Sequence, residues 1–230
     1  ILWGEKIGAV PTHLSGYQGH GSVAHPHGIL VTWALMMEGG IQVNLEGRRF
    51  SNEHQGYSEQ AVAVLAQPEQ TAFNLVDGRL QQLGRKFEDF RNAEENGAVI
   101  VADSPAELAT RIGIDSDALE ATLNETGLLA DSGEPDRFGR QFSADTLLRA
   151  PYCAVRVTGA LFHTQGGLLV DDHARVKRAD GSVFDSLFAC GGAACGVSGP
   201  NVSGYLSGNG LLTALALGHL AGGCAGWEGG

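Results

Sequence analysis

The chain has 230 residues, 43% hydrophobic and 18% charged, which suffices for one large domain or two small ones with a real core and excludes a disordered tail or a disulfide miniprotein. Fifteen basic against 26 acidic side chains give a net charge of −11, and Lys and Arg form no stripe, so nucleic acid is excluded as the expected partner. Glycine is the outlier, at 34 residues; the excess over the usual ~7% is clustered rather than periodic, which excludes collagen and points to close backbone approach to a ligand.

Residues 2–9 read as the end of a helix, and Pro11 and a Gly/His-rich run from Ser15 to Gly28 follow as irregular chain. Ile29 to Glu38 reads as a buried helix stopped by Gly39-Gly40, and 41–51 as a hairpin turning at Glu46-Gly47. A polar helix is predicted from Ser58 to Gln67, a strand over Ala72–Val76 closed by Asp77-Gly78, and another strand over Ala98–Ala102. Ser104-Pro105-Ala106-Glu107 caps a helix that Gly113 stops, and Asp115 to Thr126 is a second, ended by Gly127. After a polar stretch, Asp131 to Arg140, come predicted strands over Tyr152–Thr158, Leu168–Val170, Ala174–Lys177 and Leu187–Cys190, with Asp180-Gly181 as a tight turn. A glycine-rich loop over 191–210 then enters a strongly helical sequence, 211–221, which Gly222-Gly223 ends.

Strand, Gly-rich loop and helix bring free backbone N–H groups and the positive end of a helix to one place, an arrangement suited to a planar or anionic ligand. Turn glycines alone would give the same pattern, and no GxGxxG or GxxxxGK[ST] fingerprint occurs in the chain, so the loop names no ligand. The longest apolar stretches, 28–37 and 211–221, are broken by Thr, Gly or His and fall short of the roughly 18 residues of a membrane span. Cys153, Cys190, Cys195 and Cys224 show neither CxxC spacing nor disulfide density; they read as small buried thiols in a reducing compartment, and the cytoplasm is the expected location. His13, His20, His25 and His27 fit no zinc spacing, so no metal is expected. The chain opens on Ile1 without a targeting segment, and a fragment is the expectation.

Several ordered segments resemble the flavoproteins of the fumarate reductase, succinate dehydrogenase and ketosteroid dehydrogenase group. Gly39 to Glu53 is similar to that family's G-x-x-V-N-x-x-G-x-R-F-x-N-E, Phe138-Gly139-Arg140 to its F-G-R, Pro151-Tyr152-Cys153-Ala154-Val155 to its P-Y-Y-A-V, and Thr164-Gln165-Gly166-Gly167-Leu168 to its T-x-G-G-L. Leu187 through Gly222 is similar to the closing flavin-contact loop and helix. The resemblance implies an α/β fold: a remnant of a Rossmann-like FAD-binding domain with an inserted α+β substrate-capping domain. The remnant would comprise 1–14 and 162–230, and the cap 15–161. The GxGxxG unit that holds the pyrophosphate would lie upstream. FAD is the implied cofactor, with Gly166, Gly167, Gly191, Gly192, Gly208, Asn209, Gly210 and Leu211 as its contacts, although Gly192 stands where the family often has a ribityl-binding Glu.

The resemblance also implies a reaction at a CH–CH bond next to a carbonyl. His20 and His163 fall in the places of the substrate-binding histidines of fumarate reductases, and Ser207 joins them as a substrate contact. The two arginines of those enzymes are replaced by Tyr57 and Tyr205, and their proton-relay residues by Trp33 and Met36, which cannot carry protons. A dicarboxylate would keep uncompensated charge there. Tyrosines at both places resemble the ketosteroid dehydrogenases, so Tyr57 and Tyr205 are the expected catalytic pair and an apolar cyclic ketone the expected substrate, with an unspecified electron acceptor. Each site residue has a second reading as a packing side chain with a satisfied polar atom. The alternatives at the level of function are an unsaturated carboxylic acid as substrate and a non-catalytic truncated module; the chain by itself is expected to be inactive.

Overall fold

A computed structural model describes residues 1–227. Helix α1 (Leu2–Lys6) leads to β1 (Pro11–Thr12), β2 (Tyr17–Ala24), β3 (Ile29–Leu30), α2 (Ala34–Met37) and β4 (Ile41–Val43). Next come α3 (Tyr57–Leu65), β5 (Thr71–Asp77), α4 (Gly78–Gly84), α5 (Glu88–Glu95), β6 (Val99–Ala102), α6 (Pro105–Ile112) and α7 (Ser116–Ser132). The chain closes with β7 (Tyr152–Thr164), β8 (Gly167–Leu168), β9 (Arg175–Lys177), β10 (Val183–Phe188) and α8 (Asn209–Trp227). It divides into two compact units, Gly19–Ala160 and Ile1–Gln18 with Leu161–Gly230.

The unit 19–160 is built on a six-stranded sheet in the order β3-β2-β7-β5-β4, with β6 also pairing β7. The ladders β4–β5, β5–β7 and β6–β7 are antiparallel. Alternation along β5 sends Ala72 and Val76 to one face and Phe73 and Leu75 to the other, so two cores form. One gathers Val31, Leu35, Met36, Val64, Leu80 and Phe90; the other takes Ile41, Val43, Leu108 and Leu119 from the strand and helices on the opposite side. The second unit pairs β1 with β8 and β9 with β10, again antiparallel, around Ala9, Leu168, Val176, Ala189 and Ala194. The fold is thus a mixture of helices and strands.

Several expected elements are corrected. The Gly/His-rich run is not irregular: Tyr17–Ala24 is a strand whose inner residues are buried, because its glycines let α3 approach closely, and a Cβ on Gly21 would lie 2.7 Å from the Gln60 carbonyl carbon. The helix expected over 29–38 shrinks to Ala34–Met37, since Ile29 and Leu30 pair with Ala24 and Val23. The hairpin over 41–51 keeps its turn, with the Asn44 N–H donating to the Arg48 carbonyl at 2.9 Å, but β4 takes β5 as its strand partner. Two helices over 78–95 went unread; α4 starts because the Asp77 carboxylate accepts from the Leu80 N–H at 2.9 Å. Helix α7 runs through Gly127 to Gly133, as the burial of Leu119, Thr122 and Thr126 along its face outweighs the ~1 kcal/mol penalty of a helical glycine. Helix α8 also passes Gly222 and Gly223, running to Trp227. The thiols are not uniformly buried: Cys153 is, Cys190 is exposed at the mouth of the glycine loop, and Cys195 and Cys224 are half-buried.

Candidate active site

Within the unit 19–160, β2 supplies His20, the residue before α2 is Trp33, and α3 begins at Tyr57. The Tyr57 ring stacks on His20 with centroids 5.1 Å apart and planes at 22°, and Trp33 meets His20 edge-on at 5.8 Å. His20 is 6% exposed, and burial pushes its pKa down to about 4, so it is a neutral imidazole at pH 7. A buried polar lattice fixes the elements around it. Gln42 Nε2 donates to the Gly21 carbonyl and to Asn74 Oδ1, both at 2.7 Å. Gln60 Nε2 donates to Gln42 Oε1 at 2.7 Å, Asn74 Nδ2 to Ser22 Oγ at 2.6 Å, and the Gly19 N–H to Ser58 Oγ at 3.0 Å. Strand β2 is thereby tied to β4, β5 and α3. Trp33 and Met36 are buried in the hydrophobic core.

The Asn-Glu pair before Tyr57 does structural work of its own. Glu53 is fully buried and accepts from the Gln42 N–H (2.9 Å), Arg49 Nε (3.0 Å), Arg49 Nη2 (2.6 Å) and Arg140 Nη1 (2.8 Å). Arg49 also donates to Asp136 and lies over the Phe142 ring at 4.9 Å. Burial by itself raises the Glu53 pKa, but the hydrogen bonds from Arg49 and the charge of Arg140 win, so the carboxylate is held below its ordinary range. The segment carrying Tyr57 is thus anchored by a charge cluster that the F-G-R segment completes.

In the other unit a cleft of about 380 Å³ is lined by Gln18, His163, Gly191, Gly192, Tyr205, Gly208, Gly210, Leu211 and Ala214. Gly191 and Gly208 take left-handed conformations, at φ 54° and 79°. A Cβ on Gly192 or Gly208 would meet nothing within 4 Å, so these glycines leave an open wall that a planar group can approach. At Gly210 the same atom would sit 3.2 Å from His163 Nε2. Ser207 is exposed and does not line the cleft, and neither do Gly166, Gly167 and Asn209, which are buried. A Cβ on Gly166 would collide with the His13 carbonyl at 2.4 Å and one on Gly167 with the Ala194 carbonyl carbon at 2.2 Å, so both glycines serve chain-to-chain packing. Asn209 spends its side chain on Gln165 and on the Val197 N–H. Among the described residues no three potential metal ligands converge; His13 instead lies 3.5 Å from Cys195 Sγ.

The structure brings His163 and Tyr205 to this cleft with Gly191, Gly192, Gly208, Gly210 and Leu211, and it brings His20 and Tyr57 together in the other unit. Sequence reading missed Gln165 and the Arg49–Glu53–Arg140–Asp136 cluster as site-forming residues. The signal for the latter was present in the R-F-x-N-E and F-G-R segments, but only folding shows that they meet.

A family model described as FAD binding domain matches residues 4–211. The chain belongs to this FAD-binding family. It is 31% identical over 218 residues to "Fumarate reductase (cytochrome)" of Shewanella frigidimarina, covering 95% of this chain and 37% of the relative. To "3-oxosteroid 1-dehydrogenase" of Mycobacterium tuberculosis it is 27% identical over 216 residues, covering 80% of this chain and 38% of the relative. Among solved structures, the open conformation of a flavocytochrome c3 fumarate reductase superposes with a TM-score of 0.72 at 27% identity, over 99% of this chain and 39% of that one. The chain therefore spans somewhat over a third of the length of these relatives. FAD is the cofactor of this family, and the open glycine wall of the cleft fits a flat ring system. Among the described residues no helix is long and apolar enough to cross a membrane.

Proposed function

We propose that the chain is part of an FAD-dependent oxidoreductase acting on a CH–CH bond adjacent to a carbonyl, with an apolar cyclic ketone as substrate. In this reading 162–230 with 1–14 belongs to the FAD domain and 15–161 to the substrate cap. Bound FAD supplies two-electron, hydride-level redox chemistry. Gly191, Gly192, Gly208, Gly210 and Leu211 would hold it, with the first N–H groups of α8 nearby. What supports the substrate assignment is the pair Tyr57 and Tyr205, phenols at the two places where, by the sequence resemblance, fumarate reductases use arginine. Tyr57 Oη is the group that exchanges a proton with the carbon next to the carbonyl, and Tyr205 Oη donates a hydrogen bond to the ketone oxygen. His20, stacked on Tyr57 and neutral, packs the phenol ring without adding charge. Tyr205 and His163 both line the glycine cleft, which supports reading them as donors to a carbonyl bound there.

A second reading, an unsaturated carboxylic acid, is favoured by the 31% identity to a fumarate reductase. Its difficulty is the lack of the two arginines. The deciding experiment assays the full-length parent protein with 3-ketosteroids and cyclic enones beside fumarate and other unsaturated acids, following flavin absorbance. Turnover of ketones supports the first reading; robust turnover of fumarate with none of the ketones overturns it in favour of the second. A parent protein without bound flavin would make the chain a non-catalytic module.

A further inference from the structure

A chain of hydrogen bonds behind the glycine cleft has its polarity fixed at one end by a backbone group. The Val197 N–H can only donate, and its acceptor is Asn209 Oδ1 at 3.2 Å. The other end of that amide, Nδ2, is then a donor, and it faces Gln165 Oε1. The Gln165 amide is oriented in turn, so its Nε2 is the donor that meets His163 Nδ1 at 2.8 Å. Asn209 and Gln165 are each only 2% exposed, so water does not compete for these groups. The Gln165 backbone is held as well: its N–H donates to the Gly16 carbonyl and its carbonyl accepts from the Gly196 N–H, both at 2.9 Å. Gly196 leaves room for the contact, since a Cβ there would come within 3.0 Å of Gln165 Oε1.

We infer that Asn209 and Gln165 are positioning residues that lock the neutral His163 ring in its Nε2–H tautomer, so that the ring offers the cleft a hydrogen-bond donor and never an acceptor. Nδ1 must accept from Gln165, and the proton therefore sits on Nε2, the atom beside Gly210 at the cleft wall. The matching ligand group is an oxygen acceptor such as a ketone carbonyl. A hydroxyl hydrogen would find no acceptor on this ring. The tautomer assignment stands on the hydrogen bonds; its effect on turnover rests on the reading of His163 as a substrate contact.

The test measures the His163 tautomer by two-bond proton–nitrogen NMR on the full-length protein labelled with ¹⁵N at histidine, at a pH where the ring is neutral. The unaltered chain is expected to show Nε2–H; Nδ1–H or an equal mixture overturns the inference. In Asn209→Asp both carboxylate oxygens accept, so Gln165 must turn its Nε2 toward Asp and its Oε1 toward His163, and the ring is expected to switch to Nδ1–H. Gln165→Glu, with an acceptor facing Nδ1, is expected to do the same and serves if Asn209→Asp fails to fold. A folded variant that keeps Nε2–H overturns the relay. In the full-length enzyme the switched ring turns an acceptor toward the ketone, and KM for the ketone is expected to rise about tenfold, the weight of one hydrogen bond. A switched tautomer with unchanged KM supports the relay and removes His163 from the proposed substrate site.

Discussion

At the scale of single residues, the two tyrosines carry the sharpest test of the proposed chemistry. A phenol-to-phenyl change keeps the packing volume and removes one hydroxyl, so Tyr57→Phe in the full-length protein is expected to lower kcat by about 10²–10⁴-fold, the usual weight of general acid–base catalysis, with flavin still bound. Tyr205→Phe is expected to raise KM for a ketone as well. Full activity in both variants would end the assignment. His20 makes a separate prediction about stability. Its pKa falls from 6.5 in the unfolded chain to about 4 in the folded one, so between those values the unfolded state binds more protons and stability drops as pH falls. The loss is about 3 kcal/mol from pH 7 to pH 4. His20→Phe keeps the stack on Tyr57 and should remove that part of the dependence, which urea unfolding at the two pH values measures. Tyr57, Tyr205, His20 and His163 could be named as candidates from the sequence. Their surroundings could not be read there: that His20 is stacked and neutral depends on strands and helices far apart in the chain.

At the scale of elements, the turn into α8 and the segment before α3 place the site. Gly208 sits at φ 79°, where a β-branched residue is strained by about 1–2 kcal/mol, so Gly208→Val is expected to distort the entry to α8 and to lower flavin content, read from the absorbance per protein of the full-length variant. Unchanged flavin content and an unchanged reduction potential would remove this turn from the cofactor site. Before α3, Glu53 pairs with both Arg49 and Arg140 in the interior, and Asp136 on Arg49 completes the charge balance. Glu53→Gln leaves those guanidiniums underpaired, and breaking such a buried pair costs about 3–5 kcal/mol, which thermal unfolding would register. Capped helices were readable because their signals are local: Ser104 and Asp115 each accept from the N–H three residues on, as their sequence promised. Strand β2 was unreadable because its Gly-His-Gly-Ser pattern has low strand propensity, and only the close approach of α3 and the bonds from Gln42 and Asn74 hold it in the sheet.

At the scale of the whole molecule, the sequence holds no GxGxxG fingerprint, and the chain spans about 37% of the first relative. In the proposed reading the pyrophosphate and ribose contacts, which supply most dinucleotide affinity, belong to a GxGxxG unit outside these residues. Titration of the 230-residue chain with FAD is therefore expected to show weak binding or none; sub-micromolar affinity would show that the glycine cleft suffices. By itself the sequence determined the resemblance to the family, the order of its segments and the glycine loop entering a helix, because these are facts of residue type and spacing; the tyrosines in place of arginines are what that resemblance implies. Only the tertiary structure decided which faces of the sheet are buried, that Glu53 gathers Arg49 and Arg140, that Gly166 and Gly167 serve packing, and that Asn209 orients Gln165 against His163. Those outcomes depend on which distant groups exclude water from one another, and burial sets both the hydrogen-bond partners and the protonation of the residues the sequence had named.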